Sequence, residues 1–419
     1  MQVDDWGATL LGALLDRDPK LPIDPEADSR AWRQSGAMAL TGRPDGPALP
    51  APRRLVPGVN WLARATGLAP QIDVLALLGE RAACAGFVRA GRVSCGWATR
   101  LLDASDGSLA LSLARPTDVA LLPALLGTDA IDADPWLAVE RTLPTRPAAH
   151  WVALGSLLGL AIAVIGEVGR PTIEHPAVRA RIVGPYQGPL VDEPVRVLDL
   201  SSLWAGPLCA HVLQFHGAQV WKAESADRPD GARTGSALFF DLLHTGQESV
   251  LLDLRSDAGR AALAARVAES DIVIEASRPR ALQQAGIDVD RLIRSGRTRA
   301  WIAITGYGQD GPGRNRSAFG DDAAVAGGLV AHDLSGPVFV ADAIADPLTG
   351  LTAAAAALAA LRSGHQWYVD ISMARVAAAF ADHGEFPAAD AIDDADVGPA
   401  LPRHRLWRGP GPALAKGAP

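Results

Sequence analysis

From residue 195 onward, short apolar runs recur with amphipathic stretches between them. The runs at 195–200, 219–223, 249–252, 271–274, 300–305 and 367–371 have the length of strands. Between them, 207–215 (closed by Gly217), 237–243, 258–267 and 289–293 carry helical spacing, and an alanine-rich helical run follows Asp346. Strands alternating with helices predict an α/β fold with a parallel, helix-covered, Rossmann-like sheet. Sheets of this kind bind ligands beyond the carboxyl ends of their strands, where the loops 202–207, 275–280 and 306–320 emerge.

The preceding half is patterned differently. Residues 1–34 read as an N-terminal helical lead, amphipathic from Trp6 to Leu15, and 35–183 as a smaller α+β domain. Within it, 100–113 alternates as a hairpin about an Asp106-Gly107 turn, and 116–126 and 147–160 have helical periodicity. The run 151–166 is the most apolar stretch. It falls short of the ~20 residues a bilayer demands and is broken by Gly155, Ser156 and Gly159, so it predicts a buried helix followed by a strand. Glycine and proline punctuation marks 184–194 as a linker, 195–385 as the large domain and 386–419 as a Pro/Gly-rich tail.

Composition narrows the function. A chain of 419 residues, 48% of them hydrophobic, can fill two cores. The net charge of -8 and absence of basic runs argue against nucleic acid as a partner. The three cysteines are too scattered for a disulfide framework or a zinc site, so no metal is expected and a reducing cytoplasm fits. The N-terminus is acidic where a signal peptide is basic, and no membrane segment is expected.

The stretch 340–350, running into the alanine-rich 351–361, holds the best candidate chemistry. Asp346 precedes Pro347, which suits a helix start. A plain N-cap is the bland reading. Gly350, a second carboxylate at Asp342 and the Gly- and Asp-containing segment 306–328 favour another: a carboxylate that attacks an activated carbonyl, supported by backbone amides. Gly306, Gly308 and Gly311 match G-x-G-x-x-G, but they follow a late strand and lead into Pro312, which argues against a dinucleotide site. Lys222 reads equally well as an exposed strand end or as a functional residue.

The blocks 195–224 (VRVLDLSSLWAGP…HGAQVWKAE), 251–260 (LLDLRSDAGR), 271–286 (DIVIEASRPRALQQAG), 304–313 (ITGYGQDGPG) and 369–372 resemble class III coenzyme A transferases. This group includes formyl-CoA and carnitine-CoA transferases and α-methylacyl-CoA racemases. Residues 100–113 and 151–166 resemble the family's small domain, which here precedes the large one, and 94–97 stands where a glycine-rich loop is expected. The halves are thus reversed. A faint repeat, 36–47 against 328–337, accompanies the reversal and has no counterpart of Asp346 in its first copy.

The resemblance implies a CoA transferase in which Asp346 is the nucleophile and Asp322, or Asp321 with a shift of one, is a secondary acid. It places coenzyme A contacts at Trp204 and Ala205, at Leu252 and Arg255, at Ala276, Ser277 and Arg278, and at Gly96. Coenzyme A and acyl-CoA are implied as substrates, with no permanently bound cofactor. The partners are a carboxylic acid acceptor and a second subunit, in a homodimer of the family's interlocked type or a heteromer. Two departures stand out. Ala276-Ser277 replaces the family's Asn-Phe, and Gly320-Asp321-Asp322 lacks the histidine of the racemases. A 2-methylacyl-CoA racemase and a catalytically silent subunit are the alternative readings.

Overall fold

The computed structural model describes residues 21–129, 133–188, 194–382 and 397–400. The expected amphipathic lead, Trp6 to Leu15, and nearly all of the expected tail lie outside them.

Helices α1 (Pro25–Gln34), α2 (Leu55–Ala65) and α3 (Glu80–Ala85) come first. A hairpin of β1 (Thr99–Ala104) and β2 (Gly107–Ser112) follows, its turn at Ser105-Asp106. The helical stretch expected over 116–126 divides into α4 (Pro116–Ala120) and α5 (Leu122–Leu126), the latter with proline in its first turn. Next come α6 (Pro135–Thr142), α7 (Ala148–Leu158) and β3 (Ala161–Val164), which completes an antiparallel sheet β1-β2-β3. Trp151 and the leucines of these elements form a separate apolar core beneath that sheet.

Strand β4 (Val178–Pro185) takes up residues expected to open the linker. Then β5 (Arg196–Asp199), α8 (Ala205–Phe215), β6 (Gln219–Glu224), α9 (Ala237–His244), β7 (Glu248–Leu251), α10 (Asp257–Glu269) and β8 (Ile272–Glu275) alternate as expected. They are followed by α11 (Pro279–Gln284), α12 (Val289–Ser295), β9 (Ala300–Thr305) and α13 (Gly320–Ala326). A hairpin of β10 (Val330–Asp333) and β11 (Gly336–Phe339), which strand-length apolar runs did not reveal, leads to α14 (Ala345–Ala360), β12 (His365–Ser372) and α15 (Met373–Phe380).

The large sheet has the order β4-β12-β9-β8-β5-β6-β7, parallel throughout except for β4, which runs antiparallel on the edge of β12. The chain moves outward from β5 through β6 to β7, then returns to β8 on the other side of β5. Strand order therefore reverses between β5 and β8, the point at which open α/β sheets leave a crevice between diverging loops.

One face of the sheet is covered by α8 and α14, the other by α10 and α12 with Trp301 beneath them. Both faces are buried, which is why the strands read as continuous apolar runs without alternation. Helix α14 is buried nearly along its whole length, so its alanine run serves close packing as well as helix propensity. Trp32, Met38, Leu55, Leu62 and Leu78, from the half expected to form a smaller domain, pack into the same core as Leu208, Leu348 and Leu351. Small alanine side chains on α14 leave room that these larger residues fill.

Candidate active site

Asp346 lies in the first turn of α14, partly exposed. Gly350, one turn on, faces the start of α8: a Cβ there would stand 2.6 Å from the Ala205 carbonyl oxygen. Two helix starts thus meet, and the Ala205 amide donates to the Asp346 carboxylate. Helix N-termini carry partial positive charge and free N–H groups, so the junction favours an anion.

Burial nevertheless pushes Asp346 up to about 7, with Asp321 and Asp342 adding to the rise and Arg81 and the Ala205 amide opposing it. Asp321, at the start of α13, accepts from the Ala343 amide at 3.0 Å and from the Ser94 hydroxyl. Burial lifts it to about 6 against the pull of Arg81. Asp342 is fully buried and receives Nε and Nη2 of Arg81 at 2.9 and 2.5 Å. Burial acts to lower the Arg81 guanidinium, yet Asp342, Asp321 and Asp346 hold it above its ordinary value.

Backbone strain concentrates at this junction. The positive-φ residues other than glycine among the described residues are Trp97, Leu203, Ala341 and Ala343, with φ of 65, 71, 52 and 41°. Two of them flank Asp342, one precedes Trp204 and one follows Gly96. Each left-handed residue with a Cβ costs about 1–2 kcal/mol, so the surrounding packing must enforce it.

The expected site residues divide. Asp321 and Asp346 come together, and Gly96 joins them: a Cβ on it would meet Nη2 of Arg81 at 3.4 Å. Asp322 points elsewhere. It accepts from the Phe319 amide at 2.9 Å and caps α13, where burial holds its carboxyl well above the usual range. The amides of the glycine-rich 306–311 loop also turn away from Asp346; those of Gly308 and Gln309 donate to Thr305 and Asp370.

The expected coenzyme A contacts surround the strand-order reversal. Trp204 and Ala205 follow β5 and are buried, whereas Ala276 and Arg278 follow β8 and are exposed. Leu252 and Arg255 line a cavity of about 370 Å³ with Ser202 and Asp230. Arg255 and Ser277 line a neighbouring one of about 440 Å³ with Leu254 and Ala285. Shared walls at Leu200, Leu254 and Arg255 join the two into one crevice. Arg255 is exposed and pairs with Asp227 at 2.5 Å and Asp253 at 2.9 Å. The Ser277 hydroxyl donates to the buried Glu275 carboxylate.

Lys222 is no exposed strand end. It is fully buried, 2.9 Å from Asp230 and 3.5 Å from Asp199, and donates to the Ser201 carbonyl at 2.5 Å. Asp230 in turn accepts from the Leu203 amide at 2.9 Å. One ammonium thereby ties the loop after β5 to the loop after β6, fixing the crevice wall beside Trp204. Glu224, at the end of β6, is held by Arg233 at 2.6 Å.

Arg81 and the lysine cluster escaped sequence reading. Arg81 sits in no motif, and its partner is 261 positions away. The alternation of apolar strand and charged terminus at Lys222 looks the same whether that end is covered or open.

The site is thus a carboxylate where two helix starts meet, in a sheet whose strand order reverses between β5 and β8. Residues 193–390 match the family described as CoA-transferase family III. It is 33% identical over 195 residues to the succinyl-CoA–D-citramalate CoA-transferase of Chloroflexus aurantiacus, covering 43% of this chain and 48% of that protein. The β subunit of succinyl-CoA–L-malate CoA-transferase from the same organism is 31% identical over 194 residues, covering 43% and 48%. The chain therefore spans about half the length of the curated relatives it matches. Among solved structures, a CAIB/BAIF family protein from Brucella suis is 28% identical with a TM-score of 0.42, covering 45% of this chain and 54% of that one.

Proposed function

We propose that this chain transfers coenzyme A from an acyl-CoA to a carboxylic acid, with Asp346 as the covalent nucleophile. The observation that carries the reading is the position of Asp346 where α14 meets the start of α8, with the Ala205 amide donating to it and the crevice reached through Ser202 in the same loop after β5.

The Asp346 carboxylate adds to the thioester carbonyl, the C–S bond breaks, and CoA thiolate leaves an acyl–aspartyl anhydride. Thiolate then attacks the aspartyl carbonyl and expels the donor acid, giving an aspartyl–CoA thioester. The acceptor carboxylate repeats the sequence in reverse and restores Asp346. No net proton is consumed, so the site needs an ionised nucleophile and donors for the successive oxyanions. The Ala205 amide and the start of α14 would serve as such donors. The crevice between the β5 and β8 loops would take the nucleotide end, with Arg255 and Arg278 near its phosphates and Trp204 beside the pantetheine arm. Loss of an aromatic at Ser277 leaves adenine held by apolar walls such as Leu254 and Leu282.

Asp321, where a racemase would need a histidine, favours transfer over two-base proton exchange. The assembled cluster of Asp346, Asp321 and Arg81 favours an active chain over a silent one. Pairing with a second copy or another family member belongs to the same proposal, one relative being named as the β subunit of its transferase.

Intact-protein mass spectrometry after incubation with a panel of acyl-CoAs tests this. An adduct that disappears in Asp346→Ala is expected; coenzyme A binding without any adduct overturns the covalent route.

A further inference from the structure

We propose that Arg81 is a positioning residue that governs the ionisation of Asp346; this rests on the reading of Asp346 as nucleophile. Arg81 lies outside the family-matched 193–390, in a segment that only the fold brings to the site.

Its guanidinium is fixed from three directions. Asp342 takes two of its nitrogens, at 2.9 and 2.5 Å. Its Cζ lies 5.5 Å from the Trp204 ring centroid and 5.8 Å from that of Phe87, both within cation–π range. Gly96 leaves room for Nη2, since a side chain there would press within 3.4 Å of it. A guanidinium held this way has little freedom to follow solvent, so its charge acts from a constant position.

The position matters because three carboxylates converge. Asp346, Asp342 and Asp321 come from two helix starts and the bend between Ala341 and Ala343. Crowded together without a cation, they would share protons, as like charges in one site do. Among the described residues, Arg81 acts as a cation on both Asp321 and Asp346. The other groups facing the cluster are the Ser94 hydroxyl, the Cys95 thiol, whose pKa is raised by burial and by Asp342 and Asp321, and the Ala205 and Ala343 amides. Glu80, beside Arg81 in sequence, is also buried.

Arg81 and Asp342 therefore act on the nucleophile with opposite sign. Removing Arg81 favours the protonated carboxyl, whereas removing the Asp342 charge favours the ionised one and frees Arg81 toward Asp346. A purely structural pair would be disturbed alike by either substitution.

The test is a pH titration of the full-length protein labelled with [13C]aspartate, the Asp346 signal being assigned by its loss in Asp346→Asn. Single-turnover adduct formation is followed over the same pH range. Arg81→Gln is expected to raise the Asp346 midpoint by at least one pH unit, a tenfold loss of ionised fraction below that midpoint. Asp342→Asn is expected to lower it, with Arg81→Lys between wild type and Arg81→Gln. Should Arg81→Gln fail to fold, Asp342→Asn and Arg81→Lys carry the comparison. Midpoints that stay in place, or move together, in folded variants overturn the Arg81 assignment while wild-type adduct formation upholds the transferase reading. Opposite shifts in a protein that forms no adduct support Arg81 and overturn the nucleophile.

Discussion

A Cβ placed on Gly320 would stand 2.3 Å from Oδ2 of Asp346, so the first residue of α13 must be bare for the carboxyl to lie where it does. The same added atom would meet the Ala343 carbonyl at 2.4 Å, which blocks escape toward the 341–343 bend. Gly320→Ala is expected to displace the Asp346 carboxyl by a fraction of an ångström or more. Misplacement of about 1 Å costs roughly 10²-fold in rate. Single-turnover adduct formation in a variant that still melts cooperatively checks this.

Gly350 performs the equivalent service between α14 and α8. Its missing side chain lets the Ala205 carbonyl and Leu208 approach, so Gly350→Ala overpacks the helix contact and is expected to destabilise the fold by about 1–3 kcal/mol. Urea unfolding measures the loss. Because α8 carries the Ala205 amide, adduct formation is expected to slow as well.

Lys222 balances Asp199 and Asp230 where none of the three is exposed. Lys222→Met leaves two buried carboxylates without a cation, a loss of about 3–5 kcal/mol. Adding Asp230→Asn to that variant is expected to restore part of the stability, since one uncompensated charge is gone. Urea titration of the single and double variants checks the order.

Arg255 is expected to behave in the opposite manner. Its pairs with Asp227 and Asp253 are exposed, so Arg255→Ala is expected to leave the melting temperature unchanged. Coenzyme A affinity, measured by calorimetry, is expected to fall roughly tenfold or more, the value of a lost charge-assisted bond to phosphate.

Adduct formation is expected to increase with pH through a midpoint of about 7, where Asp346 ionises. Stability follows with the reverse sign. Asp346 and Asp321 titrate in the folded chain at about 7 and about 6, above the 3.8 of an unperturbed aspartate, so the folded state holds their protons more tightly. Their contribution is fully present below that unfolded value and is lost as pH rises through 6 to 7. Glu224 and Asp230, held below their ordinary 4.5 and 3.8, work in the opposite sense and at lower pH. Asp346→Asn is therefore expected to be more stable than wild type at pH 8, the difference closing as pH falls toward the unfolded value. Urea unfolding at several pH values decides it.

Much of the sheet was legible because burial on both faces turns each strand into a local apolar run. β9 was read to the residue, and β5, β6, β7, β8 and β12 to within two. β4 was missed because Arg179, Arg181 and Ile182 face outward on an edge and break the apolar pattern. The β10–β11 hairpin was missed because each strand has only four residues, two of them in each partly exposed. The choice between Asp321 and Asp322 could not be made from adjacent identical residues. The direction in which α13 begins separates the two, turning one carboxyl to the Ala343 amide and the other back to cap the helix.

Strand and helix order and the prominence of Asp346 are properties of the sequence by itself, since apolar periodicity and short motifs are written in neighbouring residues; the candidate contacts along the crevice come from the family resemblance. The pairing of Arg81 with Asp342, the burial of Lys222 and the meeting of two helix starts at Ala205 and Asp346 were decided only by tertiary structure. Electrostatic partners are chosen by distance and by the exclusion of water. Neither quantity exists until the sheet has stacked its helices and brought the two halves of the chain into one core.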